Sequence, residues 1–113
     1  MCNSKEIISI IELKYSPRAQ PKYEKDIQKL SSIAKHRHQI TMVSERFRGT
    51  RDNKKYALSD KILFVWAGVH AKEKSGRNRF SNLESKEFLK GCFIEWHAET
   101  QKGSDPKVFK RKW

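Results

Sequence analysis

The sequence has few cysteines and no apolar stretch long enough to cross a membrane. Cys2 and Cys92 lie far apart without a CxxC pattern, which argues against a disulfide framework and a structural zinc site. The longest apolar run, 62–69, is about a third of what a spanning helix needs. Residues 1–11 lack a basic segment followed by a long apolar one, so no targeting segment is expected. These absences predict a cytoplasmic protein with reduced thiols and no membrane partner.

Motifs of several enzyme classes are also missing. The chain has no glycine-rich phosphate-binding loop, and no pattern that supports Ser–His–Asp catalysis. Its four histidines do not predict a metal site. His36 and His38 would point about 200° apart at a helix end, and His70 and His97 fall at the ends of predicted strands. We interpret all four as surface or capping residues.

Acidic residues are scarce relative to basic ones. The chain carries 25 Lys and Arg against 13 Asp and Glu, a net charge of +12. Residues 1–15 are neutral, and 16–60 and 61–113 carry about +6 each, so the charge is spread over the body of the chain. Such a field attracts a polyanion, most often nucleic acid, although it also favours solubility.

The hydrophobic pattern predicts one α/β domain over 1–101, followed by a loose basic tail over 102–113. Strands are predicted at 6–15, 39–47, 61–71 and 92–100, and helices at 21–38 and 81–91. The order β-α-β-β-α-β indicates a mixed β-sheet with flanking helices.

Local signals refine this prediction. The strand over 6–15 is apolar on both faces for most of its length, as is typical of a central strand that is covered on two sides. For the second helix, Ser81 and Glu84 form a capping-box pattern and Gly91 fits the exit.

A charged pair interrupts the first strand in "IIELKY", residues 10–15. Because residues two apart on a strand point the same way, Glu12 and Lys14 should project from one face, about 6.6 Å apart along the backbone. Burying either charge alone costs several kcal/mol. A hydrated Mg²⁺ bound to a phosphate would satisfy both groups, since Mg²⁺ takes carboxylate, phosphate and water oxygens. An ordinary strand end, with both groups reaching solvent, is the alternative.

The strand "IIELKY", the turn "SPRAQP" and the helix "YEKDIQKLSSIA" resemble the second half of the PD-(D/E)XK nuclease superfamily, the restriction-endonuclease-like fold. The resemblance covers 6–38 well and the strand 61–71 loosely. It implies that Glu12 is a metal ligand and catalytic residue, that Lys14 is the catalytic lysine, and that the Leu13 carbonyl is a further ligand of Mg²⁺. It also leaves a homodimer open, since many nucleases of this fold act as dimers.

The family's earlier Asp has no counterpart here. Eleven residues precede Glu12, none is Asp, and Glu6 would lie about 20 Å away along the same strand. Three explanations stay open. The chain is a fragment of a longer nuclease, truncated at its N-terminus; or folding supplies another acid, such as Asp26 or Asp60; or the domain has lost activity and kept the fold. The first and third are preferred over the second.

Two loops interleave basic and aromatic residues, as nucleic-acid-binding surfaces do. The predicted phosphate contacts are Arg46, Arg48, Arg51, Lys54, Lys55, Lys72, Lys74, Arg77 and Arg79. Together with the resemblance, they predict a nucleic-acid-binding protein of nuclease-like fold, with DNA favoured over RNA. If active, it is a Mg²⁺-dependent phosphodiesterase with an incomplete site. The alternative is a module that binds DNA, RNA or an acidic protein without catalysis.

Overall fold

The computed structural model describes residues 5–16, 23–44, 54–71 and 80–113. These residues form a mixed five-stranded sheet with one α-helix, which confirms the predicted α/β class. The elements in chain order are β1 (Lys5–Ser16), α1 (Glu24–Lys35), β2 (Thr41–Ser44), β3 (Lys54–Ala71), a short 3-10 helix (Glu87–Leu89), β4 (Phe93–Thr100) and β5 (Lys107–Lys112).

The long strand β3 organises the sheet. The strand order is β1-β3-β4-β5, and β2 pairs with the first residues of β3. The β1–β3 and β3–β4 pairs are parallel, whereas β2–β3 and β4–β5 are antiparallel. Because β1, β3 and β4 run in the same direction, their carboxyl ends lie at the same end of the sheet. Ligands bind at this end in open α/β folds.

Helix α1 covers one face of the sheet. Ile27, Leu30 and Ala34 recur at steps of three and four, and all three are buried against the sheet with Phe64 and Phe93. Two acids in the first turn and Lys35 in the last complement the helix dipole. The helix predicted over 21–38 is therefore confirmed over 24–35.

The helix predicted over 81–91 is wrong, because only the single 3-10 turn forms there. Ser85 has a φ of 65°, which interrupts a helix, and Gly91 has a φ of 83°, as its predicted exit role requires. Ser81 does not form the predicted capping box. It donates from its backbone and its hydroxyl to Glu95 on β4. The element order is thus β-α-β-β-β-β, with a 3-10 turn before β4.

Two other expectations need correction. The strand over 6–15 forms, but it pairs only with β3 among the described strands and so lies at a sheet edge. One of its faces is open, with Leu13 73% and Tyr15 77% exposed. The tail over 102–113 is not loose throughout, since β5 extends the sheet through β4. Within the described ranges, no helix is both long and apolar enough to cross a membrane.

Candidate active site at the carboxyl ends of the parallel strands

The face of the sheet under α1 changes character along its strands. Near the amino ends of the strands it is apolar, with Phe64 beside Phe93. Toward the carboxyl ends the register aligns charged and aromatic residues in rows across β1, β3, β4 and β5. The first row is Glu12, Trp66, Glu95 and Arg111, and the second is Lys14, Gly68, His97 and Phe109. The concentration of ionisable groups on a covered face makes this the candidate functional site.

Glu12 and Lys14 lie in β1, as predicted, and both are half-buried on the covered face. The Lys14 ammonium lies 3.3 Å from an Asp26 carboxylate oxygen. Among the described residues, none forms a hydrogen bond or ion pair with Glu12. Leu13 projects from the opposite, open face. The structure therefore places the acid and the amine side by side and gives the amine a buried counter-ion.

Asp26 is the acid that folding brings to this pair. It lies in the first turn of α1, where a negative charge is favoured, and it is buried. Besides Lys14, the Trp66 indole N–H faces its Oδ2 atom at 3.4 Å. Asp60, the other acid considered from the sequence, is exposed and lies 3.6 Å from His38. Asp26 was the less favoured explanation from the sequence, and the structure places it at Lys14.

Trp66 forms the wall between Asp26 and the histidines. Its ring centroid lies 5.0 Å from that of Tyr23 on one side and 5.0 Å from that of His97 on the other. The ring covers Gly68, where an added Cβ would lie 2.2 Å from the indole Cη2. Glycine at position 68 is therefore what allows the indole to lie across the sheet and reach Asp26.

Glu95 is fully buried and is held by four donors. Ser81 donates from its backbone N–H (2.9 Å) and hydroxyl (2.7 Å), Arg111 donates at 2.8 Å, and His97 Nε2 lies at 2.5 Å. Burial raises the pKa of Glu95, but the hydrogen bonds from His97, Ser81 and Arg111 outweigh it and hold the pKa below its ordinary value. Glu95 is therefore an ionised carboxylate in the interior.

His97 and His70 continue this network. His97 Nδ1 lies 3.1 Å from His70 Nε2, and His70 Nδ1 lies 3.1 Å from the Ala71 carbonyl. The Ala71 carbonyl and the Glu95 carboxylate can only accept, so the imidazole nitrogens that face them donate. The histidine pair therefore links the Glu95 carboxylate to the backbone of β3 through buried hydrogen bonds.

The interpretation of His70 and His97 as surface or capping residues is wrong, since both are buried and bonded to each other. On β4, Glu95, His97 and Glu99 share the covered face, whereas Trp96 lies on the open face. Arg111 falls in the tail predicted to be loose and instead binds Glu95. Only the exposed His36 and His38 match the expectation.

Most of the predicted nucleic-acid contacts lie outside the described residues. Lys54 and Lys55 lie in β3, where their backbones pair with β2, and their side chains are not among those described. The other predicted contacts lie wholly outside the described ranges: Arg46, Arg48, Arg51, Lys72, Lys74, Arg77 and Arg79.

The fit of the site to Mg²⁺ rests on its oxygen donors. No cluster of three or more His, Cys, Asp or Glu in metal-binding geometry occurs in the described part of the chain. Mg²⁺ needs only one or two protein carboxylates when phosphate and water complete its shell. Glu12, which no described residue engages, meets that minimum. Asp26 is already engaged by Lys14.

Comparisons with protein-family models, with curated proteins and with solved structures gave no match for this chain. The residues and geometry of the site therefore carry the functional inference.

Proposed function

We propose that this chain is a nucleic-acid-binding protein that hydrolyses a phosphodiester at the site around Glu12, Lys14 and Asp26. The observation that carries the proposal is that Glu12 and Lys14 share the covered face of β1, toward the carboxyl ends of the parallel strands, and that Asp26 of α1 lies 3.3 Å from Lys14. Burying a charge costs free energy. Covered clusters of ionisable groups are therefore more typical of functional sites than of cores that only stabilise the fold.

The surrounding charge supports a polyanionic substrate. The chain carries a net charge of +12, which draws nucleic acid toward any cleft. The restriction-endonuclease-like core is part of this proposal. It is supported by the Glu-x-Lys strand β1, the helix α1 that follows it, and the next long strand, β3, which returns parallel to β1.

The residues take distinct roles in the proposed reaction. Glu12, with the Leu13 carbonyl, would hold Mg²⁺, which supplies Lewis acidity and a more acidic bound water. Lys14 offsets the negative charge that develops on the phosphate, because its ammonium is fixed in place. Asp26 positions that ammonium through the 3.3 Å contact. Trp66 in turn holds Asp26 through its indole N–H.

A nicking assay on supercoiled plasmid tests this proposal. Wild-type protein with Mg²⁺ should cleave, and EDTA should stop cleavage. Glu12→Gln and Lys14→Met should each lower the rate at least about 100-fold, the effect of removing one aligned electrostatic group. Asp26→Asn should lower the rate less, since it acts through Lys14.

Exposed residues of the same types provide the controls. Glu84→Gln and Lys25→Met make the same chemical changes on the surface and should leave the rate unchanged. Equal rates in site and control variants would show that cleavage takes place elsewhere or comes from a contaminant.

The ion pair also favours a second function, binding without catalysis. Asp26 already neutralises Lys14, so the pair could stabilise the fold and leave the basic surface to hold nucleic acid. That function gives binding that weakens steeply with salt and no turnover at any Mg²⁺ concentration. Absence of cleavage by folded wild-type protein, together with salt-sensitive binding, would select it.

A further inference from the structure

A second polar region lies away from the candidate active site, at the other end of α1. The last turn of α1, the turn after it and the 3-10 segment enclose a cleft of about 350 Å³, within the range of small-ligand sites. Its lining residues are Ala34, Lys35, Arg37, His38, Glu87, Phe88 and Lys90. Lys35 lies about 14 Å along the helix from Asp26, at 1.5 Å per residue, so the cleft is separate from the site.

Positive charge dominates this cleft. Lys35, Arg37 and Lys90 are cationic, whereas Glu87 is the one acid among the lining residues. Three cations around a concave surface attract an anion, and the net charge of the chain strengthens the attraction. The cations are not committed to the core, since Lys35 and Lys90 are exposed.

Phe88 is the unusual residue of the cleft. It is 51% exposed, whereas its neighbour Leu89 is fully buried and serves the core. The Lys35 ammonium lies 5.8 Å from the centroid of the Phe88 ring, a cation–π contact. An exposed ring beside three cations offers a flat apolar surface next to positive charge. A phosphate alone needs no such ring, and neither does an acidic peptide.

We propose that this cleft binds single-stranded nucleic acid, with phosphates at Lys35, Arg37 and Lys90 and one base stacked on Phe88. A single strand is required because a paired base has no free face to stack on a side chain. Base–aromatic stacking beside a basic groove is the usual chemistry of single-strand binding. The inference rests on the proposed function for its ligand class, but it uses residues that the proposed reaction does not.

Fluorescence anisotropy with labelled oligothymidylate and oligouridylate tests the cleft, the two probes separating DNA from RNA. Phe88→Ala should raise Kd by about 5- to 150-fold for the bound probe. Phe88→Trp keeps an aromatic face and should retain the affinity of the wild type. The double variant K35Q/R37Q should reduce the slope of log K against log salt by about 1.4, the value for two lost phosphate contacts on a single strand.

The same helix supplies a matched control. K25Q/K29Q removes the same charge from another side of α1, where both lysines are exposed, and should change the salt slope much less than K35Q/R37Q. Equal slopes in the two double variants, or wild-type affinity in Phe88→Ala, would overturn the proposal. The proposal would also be overturned if poly-glutamate bound as tightly as oligothymidylate and Phe88→Ala did not change its affinity.

Failure of this inference is distinguishable from failure of the proposed reaction. The increase in Kd caused by Phe88→Ala should be the same in the Glu12→Gln and Asp26→Asn backgrounds as in the wild type, since neither residue lines the cleft. Binding that depends on Phe88 in a protein without cleavage would remove the reaction and support the cleft. If Glu12→Gln abolished cleavage and Phe88→Ala left binding unchanged, the reaction would be supported and the cleft proposal overturned.

Discussion

The two faces of the sheet differ in a way that reverses the usual arrangement. On the covered face, toward the carboxyl ends of the strands, Glu95 and His97 are fully buried. On the open face, Leu13, Tyr15 and Trp96 are exposed, and an apolar groove of about 350 Å³ runs between β1 and β4. Charged groups are thus covered and apolar ones are open. Burying charge is costly, so the hydrogen bonds that satisfy these groups matter as much to this end of the face as apolar packing does to the other.

Removing the Glu95 carboxylate should have the largest effect. Glu95→Ala leaves the buried histidine pair and Arg111 without their acceptor, so the free energy of unfolding should fall by about 3–5 kcal/mol. Urea denaturation followed by circular dichroism measures it. Glu84→Ala, at an exposed position, should change stability by less than about 0.5 kcal/mol. A loss in Glu95→Ala no larger than the control would mean that the network does not hold the fold.

Adjacent residues on β3 compare the two faces directly. Gly68→Ala places a methyl group against the Trp66 ring on the covered face and should destabilise the protein by about 1–3 kcal/mol. Ala67→Val adds two methyl groups on the open face, where there is room, and should be within about 0.5 kcal/mol of wild type. Thermal melts of both variants measure the two losses of stability. Equal costs would show that the faces are packed alike.

The pH dependence of stability tests the covered charges in another way. The pKa of Glu95 is lower in the folded protein than in the unfolded chain. The ionised carboxylate therefore adds its full contribution to the free energy of unfolding above the ordinary pKa of about 4.3, and this contribution is lost as pH falls through the folded pKa. The stability difference between wild type and Glu95→Gln should therefore shrink as pH falls below about 4.3. Urea titrations at several pH values measure it. A difference that is constant through this window would contradict the assignment of Glu95 as ionised.

The smallest effect is expected from a leucine on the open face. Leu13→Ala should change the free energy of unfolding by less than about 0.5 kcal/mol, because the side chain is already exposed. Leu58→Ala, at a buried position on β3, should cost about 2–5 kcal/mol. If Leu13→Ala were as costly as Leu58→Ala, another part of the protein or a second molecule would have to cover the open face.

Sequence patterns predicted the elements better than their positions in the sheet. One of the two expected helices and all four expected strands were found because their periodicity is local, whereas 81–91 forms only a 3-10 turn. The Glu12–Lys14 pair followed from strand alternation alone. The edge position of β1 could not be found, because an apolar strand looks the same whether both faces are covered or one is open. The strand β5 was missed because "KVFKRK" is too basic to suggest a sheet.

The candidate site was predictable only in part, for a physical reason. Strand register and the placement of α1 bring together Asp26, Trp66 and Glu95. Neither can be predicted from the spacing of residues along the chain. The prediction for His70 and His97 was wrong because it rested on their positions at strand ends, and position along a strand does not indicate which face is covered; on β4, Trp96 faces out and His97 faces in. A polar strand face that alternates acid, imidazole and acid is itself a signal of a buried network.

The pairing of β1 sets the order in which the protein can assemble. Lys14 lies in register with Gly68, a partner that leaves the ribosome about 50 residues later. At about 5–20 residues per second, the isoleucine-rich first strand waits a few seconds to about ten seconds for the backbone that completes it. Every nascent chain therefore exposes an unpaired, aggregation-prone strand until β3 has been synthesised.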